Sequence, residues 1–299
     1  MTAAKVSARI TVGDLIADAC LKFRRSRLAF GHGTSNARDE AVYLVLHALR
    51  LPLDELAPVL RRRVTPAERT RAHSLIDARV RQRIPAAYLT REAWLGDLRF
   101  YVDERVIVPR SFIAELVPQS FAPWVEDPFA VENILELCTG SGCLSIMMAD
   151  AFPNSVVDAV DISTDAIAVA EHNIREYKLE GRVNPIVSDL YQNVPFKKYD
   201  LIITNPPYVN SASMARLPQE YLREPQIALD GGSDGMDLVR KIIAGAAERL
   251  TPEGVLMVEI GNERDFAEAA FGHLGLTWLT TSAGDDMVFL LTAEQLQNA

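Results

Sequence analysis

Ile134-Leu135-Glu136-Leu137-Cys138-Thr139-Gly140-Ser141-Gly142-Cys143 is a run of strand-forming residues that turns sharply, at a glycine pair, into a helix. Gly140 and Gly142 allow torsions and a closeness of approach that a Cβ blocks, so a ligand can lie against the turn and the amino end of the helix. A glycine pair after a strand is also an ordinary tight turn, and the third glycine of a dinucleotide fingerprint would fall where Ser145 stands. Outward from this turn the pattern alternates. Strand-like runs at 133–137, 156–160, 184–187, 199–204 and 255–260 are interleaved with helical ones from Gly142, Thr164, Asp234 and Glu263. This is the signature of βαβ units, hence an α/β fold with a parallel sheet covered by helices on both faces. Runs at 276–279 and 287–291 follow each other with no helix between them, so the final strand can insert antiparallel.

Upstream, the first 90 residues read as helices. Thr11 is an N-cap with Asp14 three residues on, and Leu15, Ile16, Ala19, Cys20 and Phe23 recur at helical spacing. A second apolar set, Ala41, Leu44, Val45, Ala48 and Leu49, follows the turn-like Gly31-His32-Gly33. Thr65, Pro66 and Glu68 form a capping box leading into Leu75, Ile76, Arg79 and Val80, and Pro85 closes that helix. From 93 to 108, short β-rich runs around Gly96-Asp97 read as a hairpin linker.

Composition narrows the class. With 48% hydrophobic and 24% charged residues among 299, and 16 each of Gly and Pro, disordered, fibrous and collagen-like chains are excluded. The net charge of −9 hides an asymmetry: residues 1–100 carry 18 Lys/Arg against 10 Asp/Glu, and residues 101–299 carry 13 against 30. A basic module beside an acidic one suggests a polyanionic neighbour for the first; in the bland reading, Arg61 to Arg63 and Arg79, Arg81 and Arg83 merely solvate helix faces. Cys20, Cys138 and Cys143 make no disulfide framework, no Cys or His falls at metal-ligand spacing, and no metal is expected. Lys5 and Arg9 precede no signal-type apolar stretch, and the richest run, 41–49, is far short of the ~20 residues of a membrane span. A cytoplasmic protein without membrane attachment is expected.

Asp161 ends the next strand 21 residues after Gly140, where a carboxylate can accept from both ribose hydroxyls of a nucleoside. Its alternative role, capping the following helix, is already served by Ser163 and Thr164. Asp189 follows the third strand, placed to accept from an adenine amino group, with Leu190 against the ring. At the end of the fourth strand stands Thr204-Asn205-Pro206-Pro207-Tyr208. Two prolines stiffen the backbone where a parallel sheet presents ligands. There the Asn205 side-chain oxygen and a main-chain carbonyl, that of Pro206, can both accept from one planar NH2, with Tyr208 supplying a packing face. An amide or aromatic amine nitrogen is a poor nucleophile because its lone pair is delocalised. Drawing both hydrogens into acceptors favours electron density on nitrogen, and a sulfonium methyl held in line completes a displacement that needs no metal or nucleophilic side chain.

At these residues the chain resembles a known family. Residues 130–292 look like the seven-stranded, Rossmann-like class I methyltransferases that use S-adenosylmethionine, and Asn-Pro-Pro-Tyr is the hallmark of those that methylate amide or exocyclic amino nitrogens. The resemblance implies Asn205, Pro206, Pro207 and Tyr208 as catalytic. It implies a cofactor site of Glu136, Cys138, Thr139, Gly140, Ser141, Gly142, Asp161, Asp189, Leu190 and Asn205. Cys138 stands where glycine is usual, and its Cβ constrains the turn.

Almost the whole chain is similar to the protein-glutamine methyltransferases related to the release-factor enzyme. The similarity rests on the helical module, the hairpin, Val108-Pro109-Arg110 ahead of a helix with Glu115, and Glu224-Pro225 and Leu229-Asp230-Gly231-Gly232 in the 209–230 loop. With Phe30-Gly31-His32-Gly33-Thr34, Asp39-Glu40-Ala41 and the 136–143 turn, it looks most like the branch that modifies ribosomal protein uL3. The implied plan is a helical substrate-recognition domain over 1–90, a β-hairpin linker over 91–110 and a methyltransferase domain over 111–299. The implied partner is uL3, with release factors as the alternative substrate and ribosomal RNA near the basic module. Arg110 is a candidate substrate-binding residue, with a purely structural role open beside it. Adenine-N6 methylation of nucleic acid suits the tetrapeptide but not the acidic catalytic half. A non-catalytic ribosome-assembly factor keeping a vestigial pocket is the remaining alternative.

Overall fold

Thr11 opens the first helix of the structure, a computed structural model that describes residues 10–298; Lys5 and Arg9 lie outside the described residues. The Thr11 hydroxyl accepts from the Asp14 N–H while the Asp14 carboxylate accepts from the Thr11 N–H, so α1 (Val12–Arg25) begins with two otherwise orphan donors satisfied. Asn36 caps α2 (Ala37–Leu49), and after the short α3 (Leu56–Val59) the expected Thr65–Glu68 capping box starts α4 (Pro66–Gln82). A single turn, α5 (Ala86–Thr90), follows. Leu15, Ala19, Phe23, Leu44, Val45 and Ile76 bury the inward faces of these helices.

This compact unit comprises the described residues up to Glu92 together with a distant segment, Pro218–Arg223. Its centre is ionic. Arg79 is fully buried rather than solvating a helix face: Nε donates to Glu40 at 2.6 Å, Nη1 to Glu220 at 3.3 Å and Nη2 to the Ala29 carbonyl at 2.7 Å. Glu220 also accepts from Arg83 at 3.1 Å and from the Ala29 N–H at 3.2 Å. Arg83 in turn donates to the Ser26 and Arg27 carbonyls, so it too is engaged in structure. Buried charges persist only when paired and hydrogen-bonded, and every polar atom of the Arg79 head group meets an acceptor here.

The second unit, Ala93–Leu217 with the described residues from Glu224 onward, holds the sheet. A hairpin of β1 (Ala93–Leu95) and β2 (Leu98–Phe100) comes first, then the one-turn α6 (Ile113–Leu116). The alternation follows: β3 (Asn133–Leu137), α7 (Cys143–Ala151), β4 (Val156–Asp161), α8 (Thr164–Glu176), β5 (Val183–Val187), β6 (Tyr199–Thr204), α9 (Ser211–Met214), α10 (Asp237–Ala246), β7 (Leu250–Glu259), α11 (Arg264–Phe271), β8 (Thr277–Thr281), β9 (Gly284–Thr292) and α12 (Ala293–Gln297). The spatial order is β5-β4-β3-β6-β7-β9-β8. β9 runs antiparallel to both neighbours and the other neighbouring pairs are parallel, as the helix-less connection between the last two strands anticipates.

Period-two geometry gives the sheet two cores. Ile134, Leu201, Ile203, Val255 and Met257 pack on one face with α7, while Leu135, Leu137, Ile202, Leu256 and Val258 pack on the other with α10. Several boundaries differ from the sequence reading; β9, for one, spans Gly284–Thr292 rather than 287–291. α10 starts at Asp237, not Asp234, because Asp234 is spent on the preceding turn, accepting from the Met236 N–H at 3.0 Å and pairing with Arg240. β7 begins at Leu250, which pairs with Tyr199. Strand order reverses between β3 and β6, and the carboxyl ends of strands beside such a switch are where open α/β sheets bind ligands.

Candidate active site

The turn after β3 is held from behind by a carboxylate. Glu136 is buried, accepting from Thr139 Oγ1 at 2.6 Å and from the Ser145 hydroxyl. Burial pushes its carboxyl up to about 7. Ser145, at the position of the missing third glycine, is thus an internal ligand of the turn. Cys138 adopts φ +62°, left-handed although it carries a Cβ, a conformation costing roughly 1–2 kcal/mol. Its thiol is held protonated, burial raising its pKa well above the ordinary range. A Cβ added to Gly140 (φ +55°) would meet nothing within 4 Å, so its open side faces empty space rather than protein.

That space is a cavity of about 380 Å³ at the carboxyl ends of β3 to β6. Cys138, Gly140, Asp161, Asp189, Leu190, Asn205 and Pro207 line it, with Ile162, Ser163, Ile227, Leu238 and Lys241 among the others. Glu136, Thr139, Ser141, Gly142, Pro206, Tyr208 and Arg110 are not among its lining residues: they shape the turn, the diproline corner and the segment ahead of α6. Asp161 accepts from the Gly140 N–H and from the Ser163 N–H, both at 2.9 Å, and so ties the two ligand-facing turns together. Burial raises its pKa against these two bonds. Ser163 caps α8 through the Ala166 N–H, as expected, leaving the Asp161 carboxylate at the cavity wall. Asp189 is exposed at the rim and accepts from Gln192 at 3.2 Å.

At the end of β6, Asn205 Nδ2 donates to the Arg110 carbonyl at 3.1 Å. Since Asn205 lines the cavity and its amide is planar, Oδ1 remains as an acceptor on the opposite branch. Tyr208 is seated rather than free. A Cβ on Gly235 would stand 2.2 Å from its carbonyl oxygen, and one on Gly261 would stand 2.6 Å from its ring.

Two buried glutamates complete the surroundings. Glu224 accepts from the Val108 N–H at 2.9 Å and takes the Arg110 guanidinium bidentately, at 2.7 and 2.6 Å. Arg110 is therefore engaged with Glu224, and its carbonyl rather than its side chain meets Asn205. Glu259, at the end of β7, accepts from Ser111 Oγ at 2.5 Å and from the Phe112 N–H at 2.8 Å, with burial pushing it up to about 7. The sequence reading missed Glu259. Its signal was an acid closing an otherwise apolar strand, at the sheet edge that carries ligands. Among the described residues, no group of three or more His, Cys, Asp or Glu is placed to hold a metal ion.

The cavity suits a nucleoside joined to an amino-acid chain. It has an open glycine wall, carboxylates for hydroxyl and amino groups, apolar faces from Ile162 and Leu190, and Asn205 at one end. The family model for a methyltransferase small domain matches residues 121–234. Fold and site define an S-adenosylmethionine-dependent class I methyltransferase. The chain is 58% identical to the ribosomal protein uL3 glutamine methyltransferase of Burkholderia pseudomallei (96% of this chain, 95% of that one). It is 56% identical to that of Bordetella pertussis (96% of each) and 53% to that of Neisseria gonorrhoeae (96% and 95%). The chain belongs to the family of ribosomal protein uL3 glutamine methyltransferases.

Proposed function

We propose that this protein methylates the side-chain amide nitrogen of a glutamine in ribosomal protein uL3. The observation that carries the reading is Asn205: its Nδ2 is committed to the Arg110 carbonyl, so its oxygen is the group left to accept from a substrate amide at the cavity wall. When bound, S-adenosylmethionine supplies a sulfonium-activated methyl group, and the carbon–sulfur bond breaks with its electron pair returning to sulfur. Asn205 Oδ1 and the Pro206 carbonyl accept the two amide hydrogens, concentrating electron density on nitrogen as the carbon–nitrogen bond forms. The methylated nitrogen then loses a proton to water. Pro206 and Pro207 keep this corner stiff, and Tyr208, fixed by its glycine seat, holds the plane of the amide. Asp161 receives the ribose hydroxyls, and Asp189 with Leu190 receives the adenine. Cys138 and Gly140 form the wall beside the methionine part, on a turn that Thr139, Ser141 and Gly142 shape and Glu136 backs.

Charge supports a protein substrate. A ribosomal protein is basic and the catalytic half is acidic, which favours encounter. In the helical unit, taken as the substrate-recognition part, Arg24, Arg25, Arg27, Arg61, Arg63 and Arg81 are exposed and free to face ribosomal RNA. Among the described residues no helix is long and apolar enough to cross a membrane, and the reaction fits the cytoplasm, where ribosomal proteins are made. The test is an in vitro reaction with purified uL3 and, separately, a purified release factor, read by mass spectrometry. A methylated glutamine in uL3 is expected. Labelling of the release factor alone would reject the assignment, and labelling of neither would reject the activity.

A further inference from the structure

The acceptor role of Asn205 depends on which way its amide faces. Oxygen and nitrogen are nearly isosteric, so shape alone does not prevent a flip that would point a donor at the substrate NH2 and remove the acceptor. The Arg110 carbonyl prevents it, because a carbonyl can only accept and at 3.1 Å it claims Nδ2. That carbonyl must itself be held still. It lies in an irregular stretch ahead of α6, where no ladder or helix fixes the backbone. Two buried carboxylates do so instead. Glu224 grips the Val108 N–H and the Arg110 guanidinium on one side. Glu259 grips Ser111 and the Phe112 N–H on the other. The Glu224 pairing is planar and two-pronged, which fixes orientation as well as distance.

We infer that Glu224 is a positioning residue for methyl transfer, acting through Arg110 to hold the Asn205 amide with its oxygen toward the substrate. The inference rests on the proposed acceptor role of Asn205. Glu224 touches neither substrate nor cofactor in this scheme; its effect passes through one guanidinium and one carbonyl. A merely structural Glu224 would govern stability but leave the Asn205 amide as it is.

The test compares full-length Glu224→Gln, Arg110→Lys and Asn205→Ala with the parent enzyme. The readouts are kcat and KM with purified uL3, S-adenosylmethionine affinity by calorimetry, thermal stability, and the side-chain NH2 signal of Asn205 in protein labelled with 15N-asparagine. Glu224→Gln is expected to lower kcat roughly ten- to a hundredfold while cofactor affinity and KM change less than about threefold. The two Nδ2 proton shifts should draw together as the bond to Arg110 is lost. Arg110→Lys keeps the charge but not the fork, should give a smaller loss of the same kind, and carries the test if Glu224→Gln fails to fold. A folded variant with parental kcat and an unchanged Asn205 signal overturns the inference. Should Asn205→Ala itself retain full turnover, the acceptor reading fails instead, so the two failures are distinguishable.

Discussion

Gly261 lies so close to Tyr208 that a Cβ on the glycine would stand 2.6 Å from the tyrosine ring. This glycine, two residues past the end of β7, therefore sets where the last member of the Asn-Pro-Pro-Tyr corner can rest, although 53 positions separate them. Gly261→Ala should push the ring out of its seat. Steady-state kinetics with uL3 should show turnover lowered roughly ten- to a hundredfold, as expected for a small misplacement beside reacting groups. Calorimetric affinity for S-adenosylmethionine should stay within about threefold. Parental turnover in Gly261→Ala would show that the ring position does not matter.

Asn205 and Asp161 should separate cleanly. Asn205→Ala removes the proposed acceptor for the substrate amide and should abolish turnover while leaving cofactor affinity largely intact. Asp161→Ala removes the carboxylate at the cavity wall and also releases the Gly140 and Ser163 N–H groups. It should weaken cofactor binding by about 1–3 kcal/mol. Titration calorimetry of both variants checks this, and equal losses of affinity would refute the division.

Arg79 should be a stability residue. Arg79→Ala strips buried Glu40 of its guanidinium partner and takes one of two from buried Glu220, which keeps Arg83. A loss of about 3–5 kcal/mol is expected, from the cost of leaving buried charge uncompensated. Urea unfolding of parent and variant measures it. A loss below about 1 kcal/mol would mean that the ionic centre is dispensable.

Glu136 gives a signed pH dependence. Its carboxyl is raised from an ordinary value of 4.5 to about 7, so between those values the folded protein binds more protons than the unfolded chain. The stability it contributes is therefore fully present below pH 4.5 and is lost as pH rises through about 7. The loss amounts to at most about 3 kcal/mol. Glu136→Gln keeps an oxygen acceptor for Thr139 and Ser145 but cannot ionise, so it should lose less stability than the parent between pH 5 and pH 8. Denaturant midpoints across that range provide the comparison, and parallel pH profiles would discount Glu136.

Much of the fold was legible because its signals are local. The capping boxes of Thr11 and Thr65 act over three residues, and the alternation of 134–137 or 255–258 acts over two. The antiparallel last strand followed from the absence of a connecting helix. Within the site, the order of Gly140, Asp161, Asp189 and Asn205 along successive strand ends was enough to anticipate that they would meet, because parallel strands align those ends. Arg79 was misread as a candidate surface charge, since nothing near it in sequence announces Glu220, 141 positions away.

The sequence by itself determined the elements, their alternation and the tetrapeptide corner, since backbone torsions, capping and side-chain periodicity are decided within a few residues. Only the tertiary structure decided that Glu224 takes Arg110, that Glu259 takes Ser111 and that Gly261 seats Tyr208. It also decided that Pro218–Arg223 joins the helical unit. Those pairings depend on where the folded chain brings distant residues together, and burial then makes each lone carboxylate or guanidinium costly until it finds that partner.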